Sequence, residues 1–320
     1  MLKVHFTEED LRLVTVSAVA EPMWEVLASL YRLRRPEGEP FFGRWRKATL
    51  RALDPGGVRL MSAVPPYGYC PDFLTPARPM TTIEDAVDAL CATPVPALRD
   101  QIAELARNGT VPRWLRLLHD GGPEELHALG DAVTGYFRRH LAPEWPGVSD
   151  AIAKEAARCH ALTEQGGTHL LLSALHPDVS WRPPVLEVRF PWDQDLHLDG
   201  RGLRLVPVYF GHGTPTTYKD ASRPPVLVYS IDHLPMLDHD AEPPNSLEAL
   251  LGPTRAHVLM KVASNTWNTS EVATGTGISA ASASQHLAVL RESGLIDTTR
   301  RGRARLHTIT ALGRAIIRAG

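Results

Sequence analysis

Ile278–Leu290 reads ISAASASQHLAVL, and Gly294–Gly313 follows as GLIDTTRRGRARLHTITALG. At 100° per residue, Ala283, Leu287 and Leu290 fall on one face of a helix, with Ala281, Ser282, Gln285 and Ala288 on another. Ser279 stands where an N-cap belongs. Gly277 supplies the corner before it, because glycine accepts the positive φ that a tight helix–helix turn needs. Upstream, Thr254–Val262 predicts a first helix with Val258, Leu259 and Val262 inward, and Thr269 is expected to cap a second. Downstream, Gly294–Gly313 predicts two short strands around an Arg301-Gly302 tip ringed by Arg300, Arg301, Arg303 and Arg305.

This pattern defines a candidate DNA-binding surface. A helix entering a major groove needs small or hydrogen-bonding residues near its N-terminal half, so that base edges can approach. Ser279, Ala281, Ser282, Ser284, Gln285 and His286 meet that need, with Arg291 at the far end. A Ser/Ala face alone fits a solvated helix in any small bundle equally well. The hairpin decides between the two readings. Four guanidinium groups on one tip repel each other, and an anionic partner relieves that repulsion. Such arginines suit phosphate contacts or a narrow minor groove.

The segment resembles the winged helix-turn-helix of the ArsR-type bacterial regulators. The resemblance is carried by Ile278-Ser279, Ser284-Gln285-His286-Leu287, Leu290-Arg291, Gly294-Leu295-Ile296, Arg301-Gly302-Arg303 and Leu312-Gly313. It covers about the last 70 residues. The whole chain is also similar to longer actinobacterial members, which place a large N-terminal domain of unknown role before the reader. The resemblance implies a homodimer on an inverted-repeat operator in double-stranded DNA, acting as a repressor. Helices around Leu259 and Ile316-Ile317 are the expected pairing elements. Metal-sensing members carry two cysteines on the first helix of the motif. Asn268 and Ser270 occupy those places here, and neutral amide and hydroxyl groups are poor ligands for soft metals. Sensing of arsenite or zinc at that site is therefore not expected.

The charge distribution agrees. From Ser246 onward there are nine Lys/Arg against four Asp/Glu, which leaves 25 basic against 32 acidic residues before it. A basic end on an acidic body suits a nucleic-acid reader joined to a different module. The three cysteines (Cys70, Cys91, Cys159) lie far apart, which suits a reducing cytoplasm and gives neither a disulfide framework nor a zinc ribbon. No apolar run approaches the length of a membrane span, so a cytoplasmic location is expected.

The remainder reads as α+β. Helical stripes run through Glu21–Arg34, Thr81–Ala92 (capped by Thr81 or Thr82), Arg99–Arg107, Pro112–His119, Pro123–Leu141 and Val148–Glu164. After Gly166-Gly167, Val185–Phe190, Leu203–Phe210 and Val226–Ile231 read as strands, with Pro207 marking an edge or a bulge. Asp232–Asn245, with three prolines and several acids, reads as a linker. The expected organisation is a mainly helical N-terminal domain with a small β-sheet region over 1–240, for effector binding or dimerisation, and the winged helix-turn-helix over 246–320.

No Walker sequence, GxGxxG, nucleophile elbow or HExxH is present. No catalytic set, metal site or cofactor is expected, and Asp232-His233 with Asp238-His239-Asp240 reads as linker polarity. Trp24, Tyr31, Trp45, Trp114, Tyr136 and Phe137 are candidates to line an apolar effector pocket or to fill the core. Two rival functions are an enzyme fused to a DNA reader, marked by a convergent catalytic cluster, and a DNA-binding protein whose large domain recruits a partner, marked by an exposed apolar patch.

Overall fold

The computed structural model describes residues 1–34, 39–64, 70–75, 77–108, 111–119, 122–211, 214–233, 245–264, 266–301 and 304–319. In chain order the elements begin β1 (Leu2–His5), α1 (Glu8–Arg12), β2 (Thr15–Val16), α2 (Pro22–Arg34), α3 (Glu39–Arg51), α4 (Pro55–Ala63), α5 (Ile83–Cys91), α6 (Val95–Asn108), α7 (Arg113–His119), α8 (Pro123–Tyr136) and α9 (Trp145–Ser173). They continue with β3 (Val179–Arg182), β4 (Val185–Val188), β5 (Gln194–His197), β6 (Arg204–Val208), β7 (Val226–Ser230), α10 (Asn245–Leu251), α11 (Pro253–Ser264) and β8 (Trp267–Asn268). The last are α12 (Thr269–Thr276), α13 (Ala280–Glu292), β9 (Ile296–Arg301), β10 (Ala304–Ile309) and α14 (Ala311–Ala319). The fold is α+β. Two compact units result: Met1–Arg34 with Ala52–Ile231, and Arg35–Arg51 with Asp232–Gly320.

The first unit contains the expected helices. Thr82, rather than Thr81, caps α5 by accepting the Asp85 N–H. The helix expected to stop at Glu164 runs on to Ser173, broken where Gly167 takes a φ of 67°. Two sheets flank these helices. One has the order β3-β4-β1-β5, with β1 antiparallel to β4 and parallel to β5. The other, β2-β6-β7, is parallel. Pro207 corrects an expectation, because it lies in the middle strand of this sheet and not at an edge. The proline is tolerated there because Leu203 and Leu205 face β2, and β2 pairs only as far as Leu205, so on that side nothing asks position 207 for an N–H, while β7 pairs on to Val208. A buried network ties α9 to β7. Glu155 receives a two-pronged contact from Arg158 at 2.7 Å and the Tyr229 hydroxyl at 2.9 Å, beside the buried Cys159.

The second unit is built around α11, whose residues from Val258 to Ser264 are all buried. Leu247, Leu259, Val272, Ala283, Leu287, Leu290, Leu295 and Ile317 share one core, with Phe41 of α3 packed against it. Truncating a buried leucine such as Leu287 in such a core costs about 2–5 kcal/mol. Leu259 and Ile317, on the two helices expected to pair in a dimer, are themselves buried inside this core. Two residues of the expected linker are also structural. Asp232 pairs with Arg314 at 2.8 Å, and the His233 ring is buried against Phe41 and Phe42. The rest of that stretch, 234–244, lies outside the described residues.

Candidate nucleic-acid interface

Each element of the interface is fixed by local chemistry. The cap of α12 is Asn268, not Thr269 as expected: its side chain accepts the Glu271 N–H, and Glu271 returns the bond to the Asn268 N–H. Thr269 turns its hydroxyl to His307 instead. Gly277 ends α12 with φ 66°, and the N–H groups of Gly277 and Ile278 close back onto Thr274 and Ala273. Ser279 then caps α13 by accepting the Ser282 N–H at 3.1 Å, and its own O–H is still able to donate.

The inward face of α13 is Ala283, Leu287 and Leu290, all buried. Ala281, Ser284, Gln285 and Arg291 are exposed. Ser282 and His286 are half-buried, as is Ala288, so Ser284 and Gln285 are the open pair in the middle of the helix. Arg291 lies 3.7 Å from its neighbour Glu292, both exposed.

The wing is the antiparallel pair β9–β10, extended by β8 on the far side of β10. Arg300 of β9 stands directly opposite Arg305 of β10, and both are exposed. Directly opposed like charges weaken a strand pair. Arg301 closes β9 opposite Ala304. The side chain of Arg301, and the whole of Arg303, lie outside the described residues. Lys261, which the sequence did not single out, runs through the unit to place its ammonium 4.5 Å from the Trp267 ring, packed under Gly275 of α12. A Cβ at position 275 would meet that ammonium at 2.6 Å, so glycine at that point was the available signal.

No group of three or more His, Cys, Asp or Glu that could hold a metal occurs among the described residues, and no helix there is long and apolar enough to cross a membrane. Of the candidate pocket aromatics, Trp45 belongs to α3 in the second unit and the other five to the first.

Three packed helices, a glycine corner and a basic hairpin make this unit a winged helix-turn-helix. Residues 252–298 match the family described as bacterial regulatory protein, arsR family, so the C-terminal part of the chain carries an ArsR-family helix-turn-helix domain. A domain of that family supports a DNA-binding transcriptional regulator. No curated protein and no solved structure matches the chain.

Proposed function

We propose that the chain is a sequence-specific transcriptional regulator that binds an inverted-repeat operator as a homodimer and represses, with its first unit taking up a small-molecule effector. The observation that carries this reading is the wing. Arg300 and Arg305 stand opposite each other across its paired strands, and Ser284 and Gln285 are exposed on α13 of the same unit. A duplex phosphate between opposed guanidinium groups replaces repulsion with attraction, while the helix offers an amide and a hydroxyl to base edges.

The dimer follows from information content, since one recognition helix reads too few base pairs for genomic specificity. With Leu259 and Ile317 committed to the core, Leu312 and Ala315, exposed on α14, are apolar groups left for pairing. On this reading the chain carries out no reaction of its own, and its first unit senses rather than converts. Selection of bound fragments from genomic DNA tests the reader, and a compound screen for release from a selected fragment tests the effector. Sedimentation, free and on DNA, tests the dimer. Absence of any preferred fragment rejects sequence-specific regulation, and a monomer in both states rejects the dimer.

A further inference from the structure

His307 holds three elements of the reader together. It sits in β10, opposite Thr298 of β9 and Trp267 of β8. Its Nδ1 lies 2.9 Å from the Thr298 hydroxyl, and its Nε2 lies 3.0 Å from the hydroxyl of Thr269, the first residue of α12. The residue is only 5% exposed. We propose that His307 is the positioning residue that pins the wing to the start of α12, and that DNA binding by this unit takes up a proton at its ring. This rests on the DNA-binding reading above.

The proton has a defined consequence. In the neutral ring one nitrogen donates and the other accepts, so one of the two threonine hydroxyls must donate into the ring. Once the ring is protonated both nitrogens donate, both hydroxyls accept, and the released O–H can turn to a phosphate oxygen. The proton comes from solvent, and the ring then donates on both sides without losing a bond.

DNA supplies the reason for uptake. The charged groups acting on the ring are Arg291 of α13 and Arg305 of its own strand. From α12 and β9 it faces neutral hydroxyls, and from β8 the uncharged Trp267. Burial, then Arg291 and Arg305, holds the His307 pKa below the ordinary histidine value. Phosphates against those two arginines offset their charge, so the imidazolium costs less in the complex. The complex then binds a proton that the free protein does not, and affinity rises as pH falls from the bound-state pKa towards the free one.

The test is the affinity of the full chain for a random-sequence duplex of roughly 25 base pairs, by fluorescence anisotropy at low salt. Wild type should bind about three- to tenfold more tightly at about pH 6 than at about pH 8. H307Q, which keeps one donor and one acceptor, should bind within about threefold of wild type at the higher pH and lose that gain. H307Q binding with the wild-type pH slope overturns the inference and leaves DNA binding standing. Wild type binding no duplex at any pH overturns the DNA-binding reading itself. Independently of any variant, the His307 resonance of the ¹³C-histidine-labelled chain should titrate at higher pH when duplex is added. A midpoint that does not move overturns the inference.

Discussion

Asn268 and Glu271 hold each other at the start of α12: the Asn268 side-chain oxygen accepts the Glu271 N–H at 3.0 Å, and the Glu271 carboxylate accepts the Asn268 N–H at 2.8 Å. Metal sensors of the family place a thiolate at this position; here it caps a helix. N268A should destabilise the reader by about 1 kcal/mol in denaturant melts, and N268D should retain most of that. Duplex affinity should change less than about tenfold on adding chelator, then zinc or arsenite, because amide and hydroxyl groups give soft metals no site. A larger change would show a metal site elsewhere in the chain.

Gln285 and the wing arginines should respond differently. Gln285 is exposed on α13 opposite the buried Ala283-Leu287-Leu290 face, so Q285A should flatten preference among operator variants, costing roughly 1–3 kcal/mol on the best sequence. R300A or R305A should weaken all duplexes similarly and lower the salt slope by about one unit each. Competition titrations at several salt concentrations separate the two effects, and arginine variants that changed sequence preference would reverse these roles.

Gly277 has nothing within 4 Å of a Cβ built on it, yet its φ of 66° is one that side chains rarely adopt. G277A should therefore lose about 1 kcal/mol of stability from backbone conformation alone. Melts of G277A and G277N compare the two, with asparagine the milder because it tolerates the left-handed region.

Glu25, fully buried in α2, accepts the backbone N–H groups of Tyr209 and Phe210, and burial raises its pKa from 4.5 to about 7. In that window the folded chain holds a proton that the unfolded chain has lost, so this group makes stability fall as pH rises from 4.5 to about 7, then level off. The contribution is roughly 3 kcal/mol at its largest. E25Q should remove most of this slope while losing about 1–3 kcal/mol at low pH, since its amide presents an N–H to one backbone donor. Urea melts across that range check both, and an unchanged slope in E25Q would assign the pH dependence to other groups.

The parts legible in the sequence are those whose partners are close by. The Ala283-Leu287-Leu290 stripe, the glycine corner and the paired wing strands all obey periods of a few residues, so pattern alone places them. The parts that escaped notice depend on distant partners. Leu2–His5 is a strand because it lies between β4 and β5, some 180–190 residues further on. Pro40 and Gly43 hid α3, whose Phe41 packs on the reader's core and, with Phe42, on His233. Thr269 and Asn268 both suit a cap, and only the wing's His307, claiming the threonine hydroxyl, separates their roles. On α13 the sequence pattern separates the buried Ala283-Leu287-Leu290 face from the outer one, where Ala281 and Gln285 are exposed but packing leaves Ser282 and Ala288 half-buried.

The membership of α3 in the second unit bears on how the protein is made. During synthesis Phe41 leaves the ribosome long before Leu259, Leu287 and Ile317, residues of the core it joins, are translated. At about 5–20 residues per second that interval lasts roughly ten seconds or more. Residues 52–231 can fold during the wait, whereas the reader closes only after its last helix has emerged. A nascent or prematurely ended chain thus has an aromatic ring without its core, and is a natural client for chaperones or proteases. Any chain competent to bind DNA through a completed reader has already been translated through α14.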